Sequence, residues 1–191
     1  MVTTDTLSAF VDDVRDTFRS TDDPTDQAER VAGLTRDLLT TRGWLEEELG
    51  DGRVRQAELY VDDEYGHPEP GFRITAGRSE PGKEEARSHL AHDHGLAWVV
   101  YGTYSGQREQ NTFGWSYDEA GVSRLEQTDT VVLNEGEVIA VPPGGIHQQR
   151  TVGDETSINL RIESVDMSVR PRHWYNLDDD AAEASVDPTV A

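Results

Sequence analysis

The chain has 191 residues, enough for one domain with one sizeable core, and it has no cysteine, which excludes disulfides, thiolate metal ligands and a cysteine nucleophile. Thirty-eight acidic residues face seventeen basic ones, a formal net charge of −21, and Lys83 is the single lysine. Such a charge repels nucleic acid and anionic membranes, and the sequence has no apolar run of the ~18 residues that a membrane span needs.

The N-terminus shows no basic stretch followed by an apolar one, so the expected location is the cytoplasm. The acids are spread along the whole chain, the pattern of a halophilic protein suited to a high-salt cytoplasm. At about 1 M salt the Debye length is about 3 Å, and self-repulsion is screened. The fold is therefore expected to loosen when salt is removed. An unchanged circular dichroism spectrum and melting temperature after dialysis into low salt would count against this.

In chain order, residues 1–50 read as a helical segment. Leu7, Phe10, Val11, Val14 and Phe18 follow the spacing of one buried helix face. Asp22-Asp23-Pro24 ends that helix and starts another, with Asp23 as N-cap and Pro24 in the first helical position. Val31, Leu34 and Leu38 continue the stripe, and Gly43 is the expected C-terminal stop. From about residue 51 the texture becomes β. Short runs at 57–61, 71–76, 97–104, 112–117, 122–125, 131–133, 138–141 and 157–163 alternate with turn residues, and Asp118 to Gly121 forms a hairpin turn. Many short strands predict an antiparallel sandwich or barrel over residues 51–176, with the helical segment packed on it. Residues 177–191 read as an acidic, disordered tail.

Two of the six histidines stand at His92 and His94, around Asp93. Residues two apart on a strand share a face, so both imidazoles can reach one ion at about 2.0–2.2 Å. Alone this is a weak signal. The run from Gly136 to His147 strengthens it. There a strand leads into Pro142, Pro143, Gly144 and Gly145, a tight turn that re-aims the chain so that His147 projects back toward the pair.

Gly136, Pro142, Gly144 and His147 match the four fixed positions of the second motif of the cupin superfamily, and His92-Asp93-His94 matches the core of the first. The chain thus resembles a cupin. The resemblance implies a mostly β double-stranded β-helix, or jelly-roll barrel, with one divalent metal on His92, His94 and His147. The glutamate that often follows the second histidine is replaced by Trp98 and Val99, which leaves three histidines and open coordination positions.

Within that superfamily the chain is most similar to the cysteine dioxygenase-like, or thiol dioxygenase, proteins. The similarity lies in His92-Asp93-His94, in the spacing to His147, and in helices running into Gly43-Trp44-Leu45 before the barrel. It implies Fe(2+) as cofactor, a small organic thiol and dioxygen as the molecules it meets, and a sulfinate as product. Zinc, nickel and copper suit three imidazoles too, and manganese is a further candidate among divalent metals.

The sequence also departs from that family. Where its cysteine-oxidising members grip the substrate carboxylate with an arginine two residues after a tyrosine, Tyr60-Val61-Asp62 places an aspartate. The family's serine, histidine and tyrosine on a late strand fall at Asn159, Arg161 and Glu163, and its cross-linked cysteine falls at Val99. Free cysteine is therefore not the expected thiol. A lyase, an isomerase, a carbon-oxidising dioxygenase and a non-catalytic metal or ligand binder stay open beside the thiol reading.

Three further residues are candidates for catalysis. Arg161 shares a strand face with Glu163, while Ile158, Leu160 and Ile162 occupy the other. If the apolar face lines the barrel, Arg161 is a solvated charge outside. If it does not, Arg161 is a carboxylate clamp in the site. Tyr101, like Trp98 and Tyr104, is either core packing or a ligand contact. Gln149 follows His147 by two and can donate to a bound oxygen. Arg73 and Arg78 carry the same ambiguity as Arg161. His67, His89 and His173 read as structural or exposed. Because imidazoles must be neutral to bind, metal is expected to leave as the pH falls below about 6.

Overall fold

A computed structural model describes residues 5–49, 55–65, 71–82, 90–121, 123–165, 167, 172–175, 177 and 185–186. The elements in order are α1 (Asp5–Ser20), α2 (Pro24–Leu38), α3 (Trp44–Leu49), β1 (Gln56–Val61), β2 (Arg73–Ser79), β3 (Ala91–His92), β4 (Val99–Ser105), β5 (Gln107–Tyr117), β6 (Ser123–Leu133), β7 (Val138–Val141), β8 (Ile146–Val152), β9 (Ser157–Glu163), β10 (His173–Tyr175) and β11 (Ser185–Val186).

The predicted helical stripe becomes one buried face of α1, with Leu7, Phe10, Val11 and Val14 inside. Asp23 caps α2, its carboxylate accepting from the Thr25 and Asp26 backbone N–H groups at 2.8 and 3.3 Å. Gly43 has a different role from the expected one. The helix ends at Leu38 with Leu39 as its C-cap, and Gly43, at φ 91°, instead turns the chain into α3.

Two antiparallel sheets follow. One has the order β1-β2-β9-β4-β7 and the other β11-β10-β3-β8-β5-β6. From β3 onward the chain passes repeatedly from one sheet to the other, leaving a sheet only after a single strand or the β5–β6 hairpin. This is the wrapped arrangement of a double-stranded β-helix, mostly β with its helices at the N-terminus. The runs predicted at 122–125 and 131–133 are parts of one edge strand, β6, whose middle is polar and exposed. Val122 itself lies outside the described residues. In the predicted tail, Ser185 and Val186 pair with Trp174 and His173.

The main apolar core lies outside the barrel. Ile158, Leu160 and Ile162 of β9 pack with Ile74, Val100 and Trp98 against Phe10, Val14, Val31 and Leu39 of the helical layer. Gly102 shows how close that layer comes. A Cβ there would sit 2.7 Å from Leu39 Cδ1 and 3.1 Å from Thr35 Cγ2. The opposite face of β9, carrying Asn159, Arg161 and Glu163, therefore points into the barrel. Arg161 stands between Thr75 of β2 and Tyr101 of β4, and Glu163 between Arg73 and Val99. The ambiguity of β9 is thus resolved by the helices, which claim its apolar face.

Candidate metal centre

The barrel end near β3 and β8 brings the three histidines together. His92 lies on β3 directly opposite His147 on β8, and His94 stands just beyond β3, before a turn at Gly95 with φ 57°. The Pro142–Gly145 turn is closed by Gly145 N–H donating to the Pro142 carbonyl at 2.9 Å, with Gly144 at φ 72°. A further bond, Gly144 N–H to the Gly95 carbonyl at 2.7 Å, ties this turn to the one after His94.

His92, His94 and His147 are buried, and one nitrogen of each lies within 4.8 Å of the others. Their ring centroids are 4.6 to 5.2 Å apart. Among the described residues no carboxylate joins this group.

The donors fit a divalent cation. His147 Nδ1 lies 3.0 Å from Gln110 Oε1, and the Gln110 amide nitrogen donates to Gln149 Oε1 at 3.3 Å. Gln110 therefore accepts the His147 proton at Nδ1 and leaves a lone pair on Nε2, which is buried with no hydrogen-bond partner. His92 Nδ1 is 3.1 Å from the Leu90 carbonyl and donates to it, so its Nε2 is the free nitrogen. His94 has Nδ1 buried without a partner and Nε2 3.3 Å from the Tyr101 hydroxyl. Three neutral imidazoles with unsatisfied nitrogens suit Fe, Zn, Ni or Cu.

Electrostatics keeps the rings neutral. Burial pushes His92 down to about 4, with Arg161 and Arg172 adding to the effect against the Leu90 carbonyl and Asp93. Burial likewise holds His94 and His147 well below the ordinary imidazole value, and Arg161 acts on both. An unfolded chain takes up these protons near pH 6.5, while the folded chain refuses them until far lower. Stability is therefore complete above about pH 6.5 and is lost as the pH falls. By pH 4 the His92 ring alone withdraws roughly 3 kcal/mol. Metal-free protein is expected to melt at progressively lower temperature from pH 6.5 to 4. A flat melting temperature over that range would mean that the rings are solvated. Metal is expected to leave on acidification, as protons compete for the imidazole nitrogens, and elemental analysis after dialysis at stepwise lower pH reads the point of loss.

Of the predicted catalytic residues, Tyr101 and Arg161 face the histidines. The Tyr101 ring is 5.2 Å from that of His147, and the Arg161 guanidinium is 5.7 Å from the Tyr101 ring. Arg161 Nη1 is held by Glu163 at 2.6 Å, while its Nε and Nη2 are buried without a partner. Burial works against the Arg161 charge, and Tyr101 and Glu163 outweigh it, so its pKa is raised. Gln149 reaches the centre only through Gln110.

The other candidates lie elsewhere. Trp98 and Tyr104 belong to the helix-side core. Arg73 pairs with Glu58 at 2.9 Å, and Arg78 is aligned with Ile158. Asp62 is not in the site, since its carboxylate binds Arg15 at 2.7 Å, Tyr60, and the Glu64 and Tyr65 N–H groups. His67 and His89 fall outside the described residues.

Sequence reasoning missed Gln110, because β5 gives no local sign of which residue will face His147. It also missed the anchor formed by Asp93. Asp93 Oδ2 accepts from His173 Nδ1 at 2.9 Å and from the Tyr175 hydroxyl at 2.7 Å, and Oδ1 accepts from the Gly95 and His173 N–H groups. Burial disfavours the Asp93 charge, yet these donors lower its pKa. The contacts lay β10 against β3 and bring the Trp174 ring against that of His92, tilted by 32° with centroids 4.6 Å apart.

Fold and site together define a double-stranded β-helix protein with a buried three-imidazole centre able to hold a divalent metal. Among solved structures, the chain is similar to the cupin domain of Schizosaccharomyces pombe Cnp3, at 14% identity and TM-score 0.42, over 58% of this chain and 60% of that one. An uncharacterized double-stranded β-helix protein from Klebsiella pneumoniae aligns at 16% identity and TM-score 0.42, over 65% and 85%. Oxalate decarboxylase from Bacillus subtilis aligns at 21% and 0.36, over 50% and 22%. The chain spans less than two thirds of the length of the first and third of these. No family model and no curated protein sequence matches it.

Proposed function

We propose that the chain is a non-haem iron dioxygenase that oxidises a small organic thiol to a sulfinate. The observation that carries this reading is a donor set of three buried neutral imidazoles, with no carboxylate joining it among the described residues, beside an arginine with two unpartnered buried donors. A ferrous ion on these nitrogens supplies the redox chemistry and the binding positions for thiolate and dioxygen. The reaction balances without an added reductant. Both oxygen atoms become bonded to sulfur, sulfur loses the four electrons that dioxygen gains, and the thiol proton is released.

The chain's own residues set the geometry. Arg161 Nε and Nη2 donate to the anionic end of the substrate, and Glu163 fixes the guanidinium plane through Nη1. Burial raises the Tyr101 pKa, so its hydroxyl stays protonated and donates within the site. Gln110 fixes the tautomer of His147, and Gln149 fixes Gln110. With Asp62 engaged by Arg15, no carboxylate from that position opposes an acidic substrate.

The test is oxygen uptake by iron-loaded protein against a panel of small thiols, with the product identified by mass spectrometry. One dioxygen consumed per sulfinate formed, and a rise in KM on Arg161→Ala, are expected. Iron bound at one per chain with no uptake on any thiol would overturn the reading.

A further inference from the structure

The three rings of the centre are almost fully buried, so a ligand needs a way in. A cavity of about 280 Å³ reaches His94, lined also by Leu96, Ala97, Ser164, Val165 and His173. Its floor includes a metal-binding residue that is 1% exposed, and its rim includes Leu96, which is 92% exposed. The cavity therefore opens to solvent beside Leu96 and ends at His94, the member of the centre that it touches.

Its walls differ in chemistry from the barrel interior. Leu96, Ala97 and Val165 are aliphatic. The Ser164 hydroxyl already accepts from the Trp98 N–H at 3.1 Å, and His173 Nδ1 is held by Asp93 at 2.9 Å. The charged groups of the centre, Arg161 and Glu163, stand on the inner face of β9 and do not line this space. The volume lies below the range of pockets that take drug-sized ligands.

We infer that this cavity is the passage to the metal, and that it selects molecules with a short aliphatic body behind the metal-binding atom. The inference rests on the metal reading of His92, His94 and His147. Ligand enters past Leu96 with its metal-binding atom and any anionic group leading toward the centre and Arg161, and its short carbon chain passes along Leu96, Ala97 and Val165. The fixed His173 ring narrows the opposite side.

The experiment uses the full chain loaded with cobalt(II) and 1-propanethiol as probe, following the thiolate-to-cobalt absorption band by stopped flow. Leu96→Trp places bulk at the rim on a side chain that packs against almost nothing, and a Leu96→Trp/Val165→Trp pair narrows both sides. Gln107→Trp, exposed five residues along β5 from Thr112 where that strand faces His147, is the control at the other end of the barrel. The expected result is unchanged cobalt content in all variants, association slowed at least tenfold in the double variant and severalfold in Leu96→Trp, and no change in the control. Cobalt-loaded Leu96→Trp and double variants that bind the thiol at the unaltered rate would overturn the passage alone, as would slowing confined to Gln107→Trp. Failure of the unaltered protein to bind cobalt would overturn the metal reading and the passage with it.

Discussion

A His147→Ala protein is expected to purify without iron, while the unaltered chain carries about one iron per molecule. Removing this ring takes away one of three nitrogens and the one whose lone pair is most plainly unsatisfied, since Nε2 is buried without a partner. Two imidazoles do not close a stable site in a polar barrel. Gln110→Leu makes the comparison graded. It removes only the acceptor at His147 Nδ1, so it should weaken metal affinity about 10- to 100-fold without abolishing binding. Elemental analysis after equilibrium dialysis, with circular dichroism to show that both variants fold, reads the difference. Equal metal in all three proteins would mean that the histidines do not converge on an ion.

Asp93→Ala should cause the largest loss of stability of any single change at the centre without touching a ligand. The carboxylate accepts four hydrogen bonds, and its removal strands the buried Tyr175 hydroxyl together with the part-buried Gly95 and His173 N–H groups. Stranded donors cost about 1–3 kcal/mol each, and partial rearrangement leaves a net loss of ~3 kcal/mol. For a chain of this size that lowers the melting temperature by roughly 6–12 °C. Asp93→Asn, which keeps one acceptor oxygen, should lie between the two. A calorimetric shift within about 1 °C for Asp93→Ala would show that β10 does not rest on β3 through this group.

The fold was legible where local chemistry is decisive. The stripe from Leu7 to Val14, the Asp23-Pro24 start and the run from Gly136 to His147 each specify their own geometry, and each forms the element it predicts. The convergence of the histidines was legible because a strand pair and a glycine turn leave few other ways to place them. What stayed hidden depends on partners distant in sequence. Gln110 meets His147 through pairing of β5 with β8, and Asp93 meets Tyr175 across most of the barrel domain. Gly43 misled because a glycine at positive φ serves a turn between two helices as well as a helix stop. The low proton affinity of the three rings was hidden as well, because burial, which no local pattern reveals, decides it.

With Ile158, Leu160 and Ile162 turned toward the helices, the cohesion of this molecule and its chemistry occupy opposite sides of one sheet. Exchanging Arg161 for another polar residue is therefore expected to change what the barrel interior accepts while leaving the helix-backed packing in place. The scaffold is thus a holder whose contents can be rewritten residue by residue. By the same logic a barrel cut free of α1 to α3 is expected to present its greasiest surface to water and clump before it binds anything.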